Sequence, residues 1–469
     1  MLVSPTKRRI WGWYMFDWAS QPYNTLLLTF VFGPYFAEIA TARYVAGGMQ
    51  LEDASASAQS MWGWGLTISG LLIAISAPIL GSVADTAGRK LPYVWAFSFL
   101  YVLGAGGLWF AHPEDFNVVL VLGSFIIGLI GMEFATIFTN AMLPDLGKRD
   151  ELGRLSGTGW AIGYLGGLVA LILALTLLAE NAAGRTLIGI APLAGLDAEA
   201  REGTRFVGVF SALWFIVFMV PFYMWVSDPL TRYEPSQASA ISSGIRGLIR
   251  TLKNLRGTPS LMAYLGSSML YRDALNGMYT FGGVYAVGVL GWSVVDVGVF
   301  GILAVVTGAA FAWIGGRADS FFGPKPVIVL SICVLIVAAI GIVLIAPTSI
   351  FGISVTEDPI LAGKRPADLA FYFCGALVGA AGGTVQAASR TMMVYQANPK
   401  RMTEAFGLYA LAGKATAFLA PGLVGLVTTL SGSQRIGVSP VIGLFLIGLI
   451  LLIWVKPNGE DFSKWDSDT

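Results

Sequence analysis

Long apolar stretches alternate with short polar segments along the whole 469-residue chain. The hydrocarbon core of a bilayer is about 30 Å thick, and a helix needs roughly 20 predominantly apolar residues to cross it. Stretches of this length occur twelve times, so the pattern predicts twelve transmembrane helices. We place them at about 10–40, 60–84, 91–111, 117–143, 155–179, 206–227, 260–290, 295–316, 326–346, 367–396, 403–430 and 437–455.

A short polar motif recurs at the ends of two of these stretches. It reads GSVADTAGRK at 81–90 and GGRADSFFGPKP at 315–326, which places Asp85 and Asp319 about half the chain apart. A motif that occurs once in each half of a membrane protein is typical of a transporter built from two related bundles.

A weaker repeat relates the first and the seventh predicted helices. Asp17 and Tyr23 in the first helix correspond to Asp273 and Tyr279 in the seventh, with the same spacing in both pairs. The two repeats together predict an all-α integral membrane protein whose twelve transmembrane helices form two pseudo-symmetric six-helix bundles.

The boundary between the bundles is predicted at a polar segment rich in proline and serine. Part of it, GIRGLIRTLKNLRG, separates apolar from basic positions as a helix on an anionic membrane surface does. We favour a plain connecting helix over a regulatory one. The predicted parts are an N-terminal bundle at 1–227, a cytoplasmic linker at 228–259, a C-terminal bundle at 260–456 and a cytoplasmic tail at 457–469.

Composition agrees with a membrane protein, because 55% of the residues are hydrophobic and only 12% are charged. Of the 29 lysines and arginines, nineteen fall on one side of the predicted helices, seven on the other and three inside. Since cytoplasmic loops carry the excess of positive charge, both termini are predicted to be cytoplasmic. We expect a multi-pass protein of a bacterial inner (plasma) membrane.

Motifs for enzymatic chemistry are absent from the sequence. We find no phosphate-binding loop, nucleophile elbow or His-Glu-x-x-His motif, so we expect no enzyme, no cofactor, no metal and no nucleic-acid partner. Cys333 and Cys374 are interpreted as packing residues, and His112 as an exposed loop residue. The expected partners of this monomer are a small-molecule substrate, membrane lipid and protons from a gradient.

Six charged residues fall inside the predicted helices, where each costs at least about 2.5–3.5 kcal/mol. The acids of the first half and the bases of the second half suit a zwitterion, although interhelical ion pairs are the alternative. The candidate substrate ligands are Asp17, Tyr23, Asn24, Arg272, Arg390 and Lys414. The candidate proton-coupling residues are Glu133, Asp17 and Asp273.

The motif at 81–90 closely resembles the signature loop of the major facilitator superfamily, in which Gly-x-x-x-Asp-x-x-Gly precedes two basic residues. The copy at 315–326 departs from this pattern by one extra residue and by Pro-Lys-Pro in place of the basic pair. The resemblance implies a conformational latch formed by Gly81, Asp85, Gly88, Arg89 and Asp319.

Longer stretches resemble the vacuole effluxer-like (UMF) branch of that superfamily. They are WGWYMFDWASQPYNTLLLTFVFGPYF, FTNAMLPDL with GRLSGTGWAIGYLGG, and SRTMMVYQANPKRMTEAFGLYALAGKATAFLAPGL. The resemblance implies transport by alternating access, and the best-known members are linked to amino acid export from fungal vacuoles. The chain departs from the family at Ala405 and at Ser20, Gln21 and Pro22, and Pro22 is predicted to kink or break the first helix.

We therefore predict a secondary transporter of a small polar or zwitterionic organic solute, such as an amino acid, coupled to protons. Two other functions stay open at this point: movement of lipids or lipid headgroups, and a membrane scaffold or sensor that transports nothing. A lipid mover would respond to phospholipid, whereas a scaffold would show no solute-dependent flux or stabilisation.

Overall fold

The computed structural model describes residues 5–181, 183–228, 243–246, 248–249, 251, 253, 257–292, 294–361 and 363–460. Within these residues, eleven helices are long and apolar enough to cross a membrane. A twelfth helix, Pro259–Gly288, is 30 residues long but less apolar, because it contains Arg272, Asp273 and several serines and tyrosines. The predicted all-α membrane protein with twelve helices is confirmed.

The twelve helices are numbered here as spans in chain order. Spans 1 to 6 are Thr6–Ala46, Leu51–Ala87, Leu91–Phe110, Val118–Asp145, Arg149–Leu178 and Glu202–Trp225. Spans 7 to 12 are Pro259–Gly288, Asp296–Phe322, Pro324–Leu344, Pro366–Gln396, Pro399–Ser431 and Gln434–Trp454. Three short antiparallel strands that the sequence did not predict follow span 9, namely β1 (Ile345–Ala346), β2 (Ser349–Ile350) and β3 (Ile353–Ser354).

Span 1 changes its helical geometry at a proline. An α-helix at Pro5–Pro22 continues as a π-helix at Tyr23–Phe30 and then as an α-helix at Phe32–Ala46. Pro22 has no N–H to donate to the Trp18 carbonyl one turn earlier. The indole Nε1–H of Trp214 donates to this oxygen instead, at 3.2 Å, so the predicted break leaves no unsatisfied carbonyl.

Span 11 is also discontinuous. Its two α-helices are Met402–Ala415 and Leu419–Ser431, and a turn at 416–418 separates them. Pro421 explains the break, because its ring conflicts with the carbonyl of the residue four positions earlier and it has no N–H to offer. The apolar pattern predicts one continuous helix at 403–430, and the break at Pro421 corrects that prediction.

Glycines in span 5 allow span 1 to pack closely against it. A Cβ atom on Gly166 would lie 2.7 Å from the carbonyl oxygen of Trp18, and one on Gly167 would lie 2.5 Å from the Thr25 hydroxyl. Such distances are shorter than real Cβ contacts, so the glycines serve close packing of helices.

The described residues form two compact units. The first contains Met1–Ala77, Thr86–Met142 and Ile162–Gln237. The second contains Ala238–Thr469 together with Pro78–Asp85 and Leu143–Ala161. The ends of spans 2 and 5 therefore pack with the second unit, although both belong to the N-terminal half of the chain.

The predicted linker and tail are only partly among the described residues. The linker residues 243–246, 248–249, 251 and 253 are helical, whereas the rest of its amphipathic pattern lies outside the described residues. In the tail, Glu460 accepts a hydrogen bond from the Ser260 N–H at the start of span 7. A hydrogen bond from the Lys456 ammonium lowers the pKa of Glu460.

The packing of spans 1 and 5 yields a stability prediction. Gly166→Ala should destabilise the protein by roughly 1–3 kcal/mol, because the added methyl group overlaps a backbone carbonyl. Gly70→Ala is the matched control, since no atom lies within 4 Å of a Cβ at Gly70; alanine there should stabilise span 2 by up to about 1 kcal/mol. Thermal unfolding in detergent measures both, and equal stabilities would contradict the packing.

Candidate functional site

Three polar side chains of the first unit are half-buried on spans 1 and 4: Asp17, Asn24 and Glu133. Asp17 faces span 5, where a Cβ on Gly163 would lie 3.4 Å from the Asp17 Cβ. The Asn24 amide Nδ2 lies 3.9 Å from the sulfur of Met132, the residue before Glu133. Asn24 belongs to the π-helix, a geometry that is frequent at functional sites.

Tyr23 differs from these three because its side chain is fully buried. Its hydroxyl donates to the Phe125 carbonyl at 2.6 Å, and its ring packs edge-on against Tyr101. In this conformation Tyr23 fastens the π-helix of span 1 to span 4. A ligand would reach Asn24 beside it, but not the Tyr23 hydroxyl.

In the second unit, Arg272 of span 7 is half-buried and lies flat against Tyr409 of span 11. Its guanidinium carbon is 4.1 Å from the ring centroid, and Nη1 donates to the Tyr409 carbonyl at 3.1 Å. The same group touches Gly413, where a Cβ would lie 2.7 Å from Nη1. The ring and the carbonyl together fix the plane of the guanidinium.

The break in span 11 separates two other candidates. Lys414 lies in the last turn of Met402–Ala415, where a cation interacts favourably with the helix dipole. Asp273 of span 7 accepts a 2.8 Å hydrogen bond at Oδ2 from the N–H of Ala420, in the first turn of Leu419–Ser431. Arg272 and Asp273 are thus neighbours in sequence that contact different halves of span 11.

Arg390 of span 10 is buried and binds protein groups in this conformation. Nε donates to the Ser156 hydroxyl at 2.9 Å, and Nη2 donates to the Ser156 carbonyl at 2.7 Å. The Ser156 hydroxyl in turn donates to the Ala387 carbonyl. These bonds hold Arg390 against the start of span 5.

Asp85, in the first signature loop, accepts hydrogen bonds from the start of span 11. Its carboxylate oxygens accept from the N–H groups of Thr403 and Glu404 at 3.1 and 2.8 Å. Gly81 permits this approach, since a Cβ there would lie 2.5 Å from the Thr403 carbonyl oxygen. At the end of the loop, Gly88 adopts a φ of +68°, which explains the glycine before Arg89.

Asp319, the counterpart in the second half, has different surroundings. It is buried against the start of span 5, where a Cβ on Gly153 would lie 2.6 Å from its carboxyl carbon. Neither carboxylate oxygen has a well-formed hydrogen bond among the described residues, although the Thr391 hydroxyl is nearby. Ser320 accepts from the Arg154 N–H at 2.8 Å and so occupies the capping position that Asp85 holds in the other half.

Two residues that the sequence analysis overlooked complete these arrangements. Ser156 is the partner of Arg390, and Tyr409 is the platform for Arg272. Both lie in the stretches GRLSGTGWAIGYLGG and GLYALAGKAT, which drew attention for other reasons. A lone hydroxyl or aromatic residue among small residues was the available signal. Among the described residues, no cluster of three or more His, Cys, Asp or Glu is placed to hold a metal ion.

Comparison with known proteins identifies relatives of the whole chain. A family model described as "Vacuole effluxer Atg22 like" matches residues 5–459. The protein described as "Uncharacterized MFS-type transporter YxiO" from Bacillus subtilis (strain 168) is 24% identical over 465 residues, which are 97% of each chain. Autophagy-related protein 22 of Yarrowia lipolytica is 25% identical over 321 residues, and the match spans 64% of this chain but only half of the fungal protein.

Solved structures show the same fold at low sequence identity. The major facilitator transporter FucP in its outward conformation matches with a TM-score of 0.67 and 13% identity, over 96% of this chain and 98% of that chain. The proton:xylose symporter XylE matches with a TM-score of 0.68 and 13% identity, over 96% and 94% of the chains. The fold of the chain is therefore the major facilitator fold.

The Asp85 cap yields a testable prediction. Asp85→Asn removes the charge that faces the first N–H groups of Met402–Ala415, an interaction worth about 1–2 kcal/mol. Amide hydrogen exchange of Thr403 and Glu404 should accelerate roughly five- to thirtyfold. Asp53→Asn is the matched control, because Asp53 is an exposed acid in the first turn of span 2, the span that also contains Asp85. Unchanged exchange in Asp85→Asn would show that the carboxylate does not hold this helix start.

Proposed function

The chain belongs to the vacuole effluxer Atg22-like family of membrane transporters, and on this basis we propose that it carries a zwitterionic solute such as an amino acid. Transport proceeds by alternating access and is coupled to protons. The protein is a monomer in a bacterial inner membrane, with both termini in the cytoplasm. The uneven distribution of lysine and arginine between the two sides supports this orientation.

The division of charges between the two units supports a zwitterion as the solute. The first unit offers Asp17, Asn24 and Glu133, whose oxygens accept hydrogen bonds from an ammonium group. The second unit offers Arg272 and Lys414, whose nitrogens donate to a carboxylate. We assign ammonium recognition to the first set and carboxylate recognition to the second.

This proposal rests on the hydrogen-bond donors that Arg272 leaves unused among the described residues. A guanidinium has five N–H donors, and among the described residues Arg272 uses one of them, in its bond to the Tyr409 carbonyl. The remaining donors sit on a half-buried fork whose plane is held by the Tyr409 ring. A membrane protein retains such a costly cation for a ligand or a charge partner, and a carboxylate matches the fork with two parallel hydrogen bonds.

Alternating access is supported by the segments that join the second unit. Two segments of the N-terminal half, Pro78–Asp85 and Leu143–Ala161, belong to the second unit. Asp85 binds the first segment to the start of span 11, and Arg390 of span 10 binds the second through Ser156. We propose that these bonds form the latch of one state and break in the other. Release of Ser156 would then free Arg390 to join Arg272 and Lys414 as an anion ligand.

The test is uptake into proteoliposomes that carry an imposed pH gradient. A mixture of the twenty amino acids is supplied outside, and the lumen is analysed by mass spectrometry, with parallel thermal-shift measurements against amino acids and phospholipids. Gradient-dependent accumulation of one amino acid class is the expected result. Stabilisation by phospholipid alone would instead indicate a lipid mover, and neither flux nor stabilisation would indicate a scaffold; both outcomes overturn the proposal.

Arg272→Lys separates a role in binding from a role in folding. The variant keeps the positive charge but loses the planar fork, so affinity for the solute should fall roughly ten- to a hundredfold. Arg390→Lys is the matched variant, because it loses the bonds to Ser156 and should shift the latch more than the intrinsic affinity. Isothermal titration calorimetry on the folded variants compares their affinities for the solute. Normal affinity in folded Arg272→Lys would remove Arg272 from the site.

Glu133→Gln tests the coupling of transport to protons. The variant should lose accumulation driven by a pH gradient while retaining exchange of labelled solute, because an amide cannot take up and release the proton. Glu114→Gln, an exposed loop acid, serves as the control. Full gradient-driven accumulation by Glu133→Gln would exclude Glu133 and leave Asp17 and Asp273 as the coupling candidates.

A further inference from the structure

The second half of span 11 begins within the span, at a helix start that Pro421 creates. The first N–H groups of any α-helix have no partner within the helix. At Leu419–Ser431, the Leu419 N–H donates to the Thr416 carbonyl at 2.7 Å. The next N–H, that of Ala420, depends on the Asp273 carboxylate of span 7. This half-helix is thus held at its start by an acid from another span.

Asp273 is almost completely buried, with 2% of its surface exposed. Its Oδ2 accepts from Ala420 at 2.8 Å, whereas Oδ1 has no hydrogen-bond partner among the described residues. Gly277, one turn further along span 7, lets the two helices approach, since a Cβ there would lie 3.0 Å from the Ala420 Cβ.

No basic side chain forms an ion pair with Asp273 among the described residues. Charged and titratable groups on the elements packed against span 7 include Arg272, Tyr271 and Tyr279 on span 7 itself, Tyr409 and Lys414 on span 11, Arg390 on span 10, and Arg435 on span 12, which donates to the Val343 carbonyl. Arg272 donates to Tyr409, Tyr271 bonds to Ser389 and Arg390 bonds to Ser156. The charge of ionised Asp273 is therefore balanced by the positive end of the Leu419–Ser431 helix dipole rather than by a cation.

The position of Asp273 connects it to the groups that we assign to carboxylate recognition. Its sequence neighbour Arg272 contacts Tyr409 and Gly413 in the first half of span 11, and Lys414 is the next residue. Two consecutive residues of span 7 thus hold the two sides of the break in span 11. A change in the bond to Ala420 alters the restraint on a turn that lies two residues from Lys414.

We propose that Asp273 is a proton-binding site, and that the proton it takes up at Oδ1 loosens the break in span 11 and moves Lys414 and Arg272. The inference rests on the proposed function, to which it adds a second proton-binding group, besides Glu133, that acts on the break in span 11. The proton enters from solution, forms an O–H bond at Oδ1 and leaves by the reverse reaction, so no other bond is made or broken.

The effect of the proton follows from the hydrogen bond that Asp273 accepts. An ionised carboxylate at a helix start accepts a charge-assisted bond, which is roughly twice as strong as the bond to a neutral group. At higher pH the ionised form therefore holds the Ala420 N–H and keeps the half-helix start ordered. At lower pH the neutral form holds it weakly, and the turn between the two halves gains freedom.

Amide hydrogen exchange with mass spectrometry tests the inference in lipid nanodiscs, with the proton as the only added ligand. Exchange of the peptide containing Ala420 is followed between pH 8 and pH 5 and corrected for the intrinsic rate at each pH. In the native protein, protection should fall about five- to thirtyfold on acidification. Asp273→Asn, which mimics the protonated acid, should be weakly protected at every pH. Protection that does not change with pH in the native protein would overturn the inference.

Further variants keep the result specific to Asp273. Glu133→Gln should retain the pH dependence at Ala420, and its loss there would assign the proton to Glu133. If Asp273→Asn does not fold, Asp273→Glu keeps a titratable group, and a folded variant without pH dependence would equally overturn the inference. Absence of amino acid uptake together with pH-dependent protection would refute the transport proposal alone; pH-independent protection together with solute binding would refute only the role of Asp273.

Discussion

Helix starts that lie inside a membrane protein must find acceptors for their N–H groups, because hydrocarbon offers none. Span 11 meets this constraint twice. Asp85 accepts from the start of Met402–Ala415, and Asp273 accepts from the start of Leu419–Ser431. Both acids come from other spans, so the position of span 11 depends on two carboxylates that it does not contain. The proposed latch and the proposed proton site both use this interaction, a carboxylate that accepts from a helix start.

The two contacts with span 11 connect motifs of the sequence with the proposed transport cycle. The Asp85 contact involves the signature loop, whereas the Asp273 contact lies beside Arg272, the anion ligand that we propose. The two halves of the chain are not equivalent, since Ser320 rather than Asp319 accepts from the start of span 5. Asp319 is instead buried with both oxygens lacking a well-formed hydrogen bond among the described residues. The two copies of the repeated motif therefore make different contacts.

Local sequence signals predicted the fold well, because each depends on neighbouring residues. Apolar length predicted the twelve spans, and Pro22 predicted a kink or break in span 1 at the position where the structure changes from α-helix to π-helix. Pro421 offered the same signal in span 11 and was overlooked because the apolar stretch around it is unbroken. The charges inside helices were found from their cost in a bilayer.

Pairings between distant residues could not be predicted in the same way. Arg390 was expected to bind substrate with Lys414, but its partner in this conformation is Ser156, more than two hundred residues away. Arg272 stands out only when its position over Tyr409 is known. The sequence identified which residues are costly to bury, whereas the three-dimensional contacts determine which of them are already satisfied. That difference moves the proposed carboxylate site from Arg390 towards Arg272.

We propose that the protonation of Asp273 sets the position of the second half of span 11. Spin labels at Met262 on span 7 and Leu430 near the end of span 11, both exposed, allow a distance measurement by pulsed electron resonance in a variant lacking Cys333 and Cys374. We expect different distance distributions at pH 8 and pH 5, with Asp273→Asn showing the acidic distribution at both. One distribution at both pH values in the protein with native Asp273 would contradict it.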